Sequence, residues 1–190
     1  MSGYRFCRQW RRILKPRVER SGTLGNEIRN VPSLKATHNM PQSLIKIIVH
    51  IVFSTKDRVD LISHEMEAEL FKYISGIVKG VGGRLIIVNG TANHIHLLIS
   101  LGRIDIGELI GHIKRYSSLW VKKKYSASNK FYWQRGYGAF SIGQSQIPSV
   151  SEYIRNQKTH HLSKSLSYED EFRDLCRRYE IEIDERYCWD

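Results

Sequence analysis

In the run NGTANHIHLLISL (89–101) two histidines flank a single isoleucine. Their neighbours are mostly apolar, a pattern that predicts a strand. Side chains alternate along a strand, so His94 and His96 share one face while Ile95, Leu97 and Ile99 share the other. Farther on, in VSEYIRNQKTHHL (150–162), Tyr153 and Gln157 stand four residues apart, one helical turn from each other on one face. Taken singly, each pair reads equally well as packed or hydrogen-bonded side chains. Together they permit chemistry. Two neutral imidazoles and an amide oxygen form a three-ligand site for a divalent cation, with positions left open for phosphate oxygens and water. A tyrosine one turn from the third ligand can then reach a phosphorus whose non-bridging oxygen sits on the metal. Its attack conserves the phosphodiester as a phosphotyrosine bond, which a 3′-hydroxyl can later reseal.

A scaffold must bring that strand and that helix together. LIKIIVHIVF (44–53) predicts a buried first strand. From Ser63, an N-cap residue, the apolar stripe Met66, Leu70, Ile74 and Ile77–Val78 predicts an amphipathic helix ending near Gly80 and Gly82. GRLIIVNG (83–90) predicts a second strand, joined to the histidine strand by a short Thr-Ala-Asn link. A second helix follows from the Asp105 cap to the lysine-rich turn at 122–124, and FYWQRGYGAFSIG (131–143) resumes β character. The order β-α-β-β-α-β predicts an α+β, ferredoxin-like (RRM-like) antiparallel sheet with two helices on one face. Beyond it come a third helix capped from Ser149 or Ser151, carrying Tyr153, and a fourth over SYEDEFRDLCRRYEI (167–181). GQSQIPS (143–149) reads as a linker on which the third helix can swing, because Gly143 is permissive and Pro148 favours a helix start. Tyr187 and Trp189 are expected to pack back on the domain. His50 reads as a packed histidine, and His160 and His161 as cap or surface residues.

Among 190 residues, Lys and Arg number 30 against 19 Asp and Glu, which points to an anionic partner. Residues 1–39 hold nine basic and two acidic side chains, residues 40–167 hold 17 and 8, and residues 168–190 hold four and nine. The basic character therefore persists without the first segment. Lys114, Arg115, Lys122, Lys123 and Lys124 give the second helix a basic end that suits phosphate contact, as does Arg135. Tyr132, Trp133 and Tyr137 offer faces for base stacking. A solvated helix face and core aromatics are the plain alternatives. The three cysteines have no metal spacing and fit a reducing compartment. No apolar run approaches a membrane span. Residues 1–39 lack apolar periodicity and read as a basic, disordered leader, with the domain beginning at Met40, itself a candidate translation start. An organellar transit peptide is a lesser alternative for the same segment.

The combination of HIH on a central strand, WQRGYGAFSIGQS, YIRNQKTHH, and IVFSTKDR after the first strand resembles the single-tyrosine HUH transposases of small bacterial and archaeal insertion sequences. The related REP-associated tyrosine transposases share the layout. The resemblance spans about residues 43 to 190. It implies His94 and His96 as metal ligands, Gln157 as the third, and Tyr153 as the nucleophile. It further implies Mg²⁺ or Mn²⁺, cleavage and rejoining of single-stranded DNA through a 5′-phosphotyrosine intermediate, and recognition of imperfect DNA hairpins. Homodimers are implied as well, with the tyrosine helix able to complete the partner's site, and a cytoplasmic, nucleoid-associated location. The 39-residue leader departs from the family's compactness. Three other readings compete. A non-catalytic RRM-like nucleic-acid-binding module needs aromatic platforms where His94 and His96 stand. A two-histidine phosphoesterase needs a second matched histidine motif. A domesticated transposase that processes chromosomal repeats would share the same chemistry.

Overall fold

The computed structural model describes residues 44–125, 130–164 and 167–189. The basic leader and the boundary expected at Met40 lie outside them. The β-branched run forms β1 (Ile47–Ser54), followed by α1 (His64–Gly80), β2 (Arg84–Gly90), β3 (His94–Leu101), α2 (Ile106–Lys124) and β4 (Gly138–Ser141). The strands make one four-stranded sheet in the order β2-β3-β1-β4, every neighbour antiparallel. This is the expected ferredoxin-like α+β arrangement. Local chemistry sets the helix starts: Ser63 Oγ accepts from the Met66 N–H, and Asp105 Oδ1 accepts from the Glu108 N–H at 3.1 Å.

The pleat divides the sheet into two chemical faces. On one, Val49, Ile51, Phe53, Ile95, Leu97 and Ile99 pack against Met66, Leu70 and Ile74 of α1 and Leu109 and Ile113 of α2. On the other stand His50, Val52, Ser54, His94, His96 and Leu98, in a register that sets Ser54 opposite His94 and Val52 opposite His96. That second face is covered by α3 (Ile147–Arg155), α4 (Gln157–Lys164) and α5 (Tyr168–Arg178). Ile154 of α3 is fully buried with Ile48, Leu98 and Ile142, while Tyr168, Phe172, Leu175 and Cys176 of α5 close on Val52 and Phe140. Burying each such aliphatic or aromatic side chain contributes about 1.5–3 kcal/mol, enough to fix both helices on the sheet.

Five expectations need correction. β1 begins at Ile47, because Leu44 and Ile45 are exposed and pair with no strand. The last strand is short. Before Gly138 the chain makes only an isolated bridge, Thr55 to Trp133, because the carbonyls of Gln134, Arg135 and Gly136 turn towards the Lys114 ammonium. The tyrosine helix starts earlier than expected, with Pro148 in its first turn, and breaks at Asn156, so Tyr153 and Gln157 lie on α3 and α4 respectively. The supposed swinging linker is a bonded turn. Gln146 Oε1 accepts from the Gly143 N–H at 2.9 Å, Ser149 Oγ donates to the Gln146 carbonyl, and a 3₁₀ turn over Gln144–Gln146 runs directly into α3. The fourth expected helix is α5, capped by Ser167, and Trp189 packs against its Phe172 ring while Tyr187 stays exposed. Among the described residues no helix is long and apolar enough to cross a membrane.

Candidate active site

Alternation on β3 puts both histidines on the covered face, where each is essentially excluded from solvent. Their Nδ1 atoms are already engaged. His94 Nδ1 lies 2.7 Å from Asn93 Oδ1, an acceptor, and so carries the ring proton, with Thr91 Oγ1 at 2.9 Å beside it. His96 Nδ1 shares a hydrogen bond of 2.9 Å with His50 Nε2 from the adjacent strand. Both rings are thereby oriented with Nε2 inward, as partners at the far nitrogen do for metal-binding histidines. Burial favours the neutral imidazole: it pulls His94 down to about 4 and His50 to about 3.

The C-terminal helices bring four more groups to the same point. Tyr153, half-buried on α3, sets its ring edge-on to those of His50 and His96, with centroids 6.2 and 5.9 Å away. Gln157, at the start of α4, is fully buried and donates Nε2 to Glu171 Oε1 at 2.8 Å. The Tyr153 hydroxyl donates to the same oxygen. Glu171 Oε2 stands 3.3 Å from both His94 Nε2 and His96 Nε2, and 3.0 Å from His161 Nε2. Burial works to raise the Glu171 pKa, but the His96, His161 and His94 imidazoles outweigh it and hold the carboxyl well below its usual range. Tyr153 moves the other way. Burial first, then the Glu171 charge, pushes its phenol above the ordinary value.

Nε2 of His94, Nε2 of His96 and Oε1 of Gln157 are buried and make no hydrogen bond. The two nitrogens each lie 3.3 Å from Glu171 Oε2. Leaving buried polar atoms such as these without partners is costly. A divalent cation fits the donor set. Ligand atoms of His94, His96 and Glu171 lie within 4.8 Å of one another.

Of the site residues expected from sequence, His94, His96, Gln157 and Tyr153 thus meet within one chain. Asn89 Nδ2 donates to the carbonyls of Ile154 and Arg155 at 3.0 and 2.8 Å, tying α3 to its own sheet. Glu171 escaped sequence reasoning, and His161, expected as a cap or surface residue, instead reaches the site through Glu171. The signal for Glu171 was present, because 168, 171, 172, 175 and 176 form one helical stripe whose other members are Tyr, Phe, Leu and Cys. His161 had no such signal.

The basic residues do not gather at this site. Lys114 turns all three N–H donors to the carbonyls of Gln134, Arg135 and Gly136, at 3.0, 3.1 and 2.6 Å, and lies over the Phe53 ring. Burial lowers its pKa to about 7. Lys124 pairs with Glu69, and Arg115 lies over the Tyr116 ring. Lys122 sits 3.2 Å from the centroid of the half-exposed Tyr132 ring, while Lys123 and Arg135 are exposed. Trp133 is a core residue, packed on Phe53 and Phe131 and donating Nε1 to Ser117 Oγ.

Comparison with known proteins agrees with the fold. The profile of the family described as "Transposase IS200 like" matches residues 43–157. A solved structure of a candidate transposase from Deinococcus radiodurans R1 is 18% identical, with a TM-score of 0.49, over 60% of this chain and 93% of the other. A REP-associated tyrosine transposase bound to a REP hairpin is 14% identical, with a TM-score of 0.50, over 63% and 72% of the two chains. No curated protein matches the chain significantly.

Proposed function

Because the chain belongs to the IS200-like transposase family, we propose that it cuts and rejoins single-stranded DNA by a single-tyrosine mechanism. Tyr153 is the nucleophile, with His94, His96 and Gln157 as ligands of a divalent cation. The phenolic oxygen forms the new bond to phosphorus, the bond from phosphorus to the 3′-oxygen breaks, and the departing strand end takes up a proton as a 3′-hydroxyl. Glu171 Oε1 holds the hydrogen of the Tyr153 hydroxyl in the resting site. A bound Mg²⁺ or Mn²⁺ would offset charge developing on the phosphoryl oxygens. His50, Asn93 and Thr91 orient the two imidazoles, and the covering helices keep water from the resting site.

What carries this reading is the convergence of a tyrosine with two unsatisfied, buried imidazole nitrogens and an unsatisfied amide oxygen. A hairpin in single-stranded DNA is the proposed substrate, in line with the REP hairpin held by the similar transposase. Processing of chromosomal repeats rather than of element ends would use the same groups. The homodimer expected from the resemblance would join two complete sites rather than share their parts. A non-catalytic RRM-like module fits less well, because α3 and α5 cover the sheet face that such a module presents to bases. The test is cleavage of a labelled hairpin oligonucleotide with Mn²⁺ or Mg²⁺. Wild type is expected to cut, and His94→Ala and His96→Ala are expected to lose cutting by 10²-fold or more, on the order of one metal site's contribution. Cutting that persists in both histidine variants would contradict the proposal.

A further inference from the structure

We propose that Glu171 is itself a ligand of the cation, so that α5 supplies the site's one anionic donor. The proposal rests on the reading of His94 and His96 as metal ligands. It starts from charge. His94, His96 and Gln157 are all neutral donors, and burying a divalent ion among neutral groups leaves its charge uncompensated. Glu171 is 3% exposed, and its Oε2 stands 3.3 Å from each imidazole Nε2. Among the described residues it is the only carboxylate grouped with those nitrogens. Its placement is built in. Tyr168, Phe172, Leu175 and Cys176 seat α5 on Val52 and Phe140, which points position 171 at the histidine strand.

A buried glutamate on a core stripe needs a reason, because unpaired buried carboxylates are rare and costly. Here Tyr153 and Gln157 donate to Oε1, and His161 reaches Oε2 at 3.0 Å. The two β3 nitrogens nevertheless face Oε2 with no hydrogen bond between them. A bound cation would be held by His94, His96 and Glu171 and would supply the partner that the two buried Nε2 atoms lack. A single carboxylate also leaves the centre with a net positive charge, and so with attraction for a phosphodiester oxygen.

The test is calorimetric titration of Mn²⁺ into the full chain without DNA, comparing wild type, Glu171→Gln and His94→Ala. Glu171→Gln keeps the side-chain shape and is expected to weaken Mn²⁺ binding about tenfold or more, the lower end of what losing a metal-site interaction costs. His94→Ala is expected to weaken it further. If Glu171→Gln binds as tightly as wild type or tighter while His94→Ala loses binding, the histidine reading stands and the proposal is overturned. If His94→Ala also binds like wild type, the metal reading of the site itself fails. A second measurement needs no variant. In wild-type protein labelled at the glutamate carboxyl carbons, stoichiometric Co²⁺ is expected to shift one carboxyl resonance far outside its range. Glutamate resonances that all stay in place would overturn the proposal.

Discussion

His50 Nε2 and His96 Nδ1 share a hydrogen bond of 2.9 Å across neighbouring strands, with the rings stacked at 25°. The contact joins a residue that reads in sequence as mere packing to one that reads as a ligand. It fixes the direction of His96 Nε2. Replacing His50 by Phe keeps an aromatic volume but leaves His96 Nδ1 buried without its partner. We expect Mn²⁺ affinity to fall 10- to 100-fold, the usual cost of losing a histidine's orienting partner. Folding stability should drop by about 1–3 kcal/mol from the unsatisfied nitrogen. Calorimetry and urea unfolding read the two effects separately. Unchanged Mn²⁺ affinity in a folded His50→Phe protein would remove the orienting role.

Lys114 counted as a phosphate contact in the sequence, and its geometry predicts a structural role. It bonds three successive carbonyls with its ammonium and so shapes the segment ahead of β4. Lys114→Met is expected to cost about 2–3 kcal/mol of stability, since charge-assisted hydrogen bonds are lost and carbonyls left bare. The salt dependence of DNA binding should not change. Removing a real phosphate contact lowers the salt slope by about one. A Lys114→Met protein of normal stability with a reduced slope would restore the original reading.

Much of this molecule is legible in its sequence, for physical reasons that can be named. Ser63, Asp105 and Ser167 mark helix starts because their side-chain oxygens satisfy backbone donors the first turn leaves open. His94 and His96 share a face because a strand repeats every two residues. What escaped depends on partners distant in sequence. The aromatic run at 131–137 is β-like in composition, yet the Lys114 ammonium draws its carbonyls away from a ladder. The break at Asn156 interrupts a helix whose periodicity continues on both sides. Glu171 occupies a stripe position that its apolar neighbours define, but only the fold shows that the stripe faces two histidines.

Cleavage should need one chain only. Tyr153 and Gln157 meet the histidines of their own sheet, and Asn89 ties α3 down by two hydrogen bonds. A mixture of His94→Ala/His96→Ala protein with Tyr153→Phe protein is therefore expected to stay inactive. Neither chain then holds an intact site. Recovery of cleavage after subunit exchange would show that sites are shared between chains.

The leader should be dispensable. All buried hydrophobic residues among those described fall between Ile48 and Cys176, and they already form closed clusters with one another. A protein beginning at Met40 is expected to unfold at the same urea concentration as the full chain and to cut DNA. Its DNA affinity should carry a smaller salt slope if the nine basic residues of the leader contact phosphate. Insoluble or inactive protein after truncation would make residues 1–39 part of the domain.

The proposed mechanism depends on where the covalent bond forms. Wild-type protein incubated with Mn²⁺ and a single-stranded hairpin oligonucleotide, then digested and analysed by mass spectrometry, locates it directly. We expect a nucleotide adduct on the peptide containing Tyr153. In the Tyr153→Phe protein the adduct should be absent while Mn²⁺ and hairpin binding persist. An adduct mapped to another residue, or one that survives Tyr153→Phe, would contradict the account.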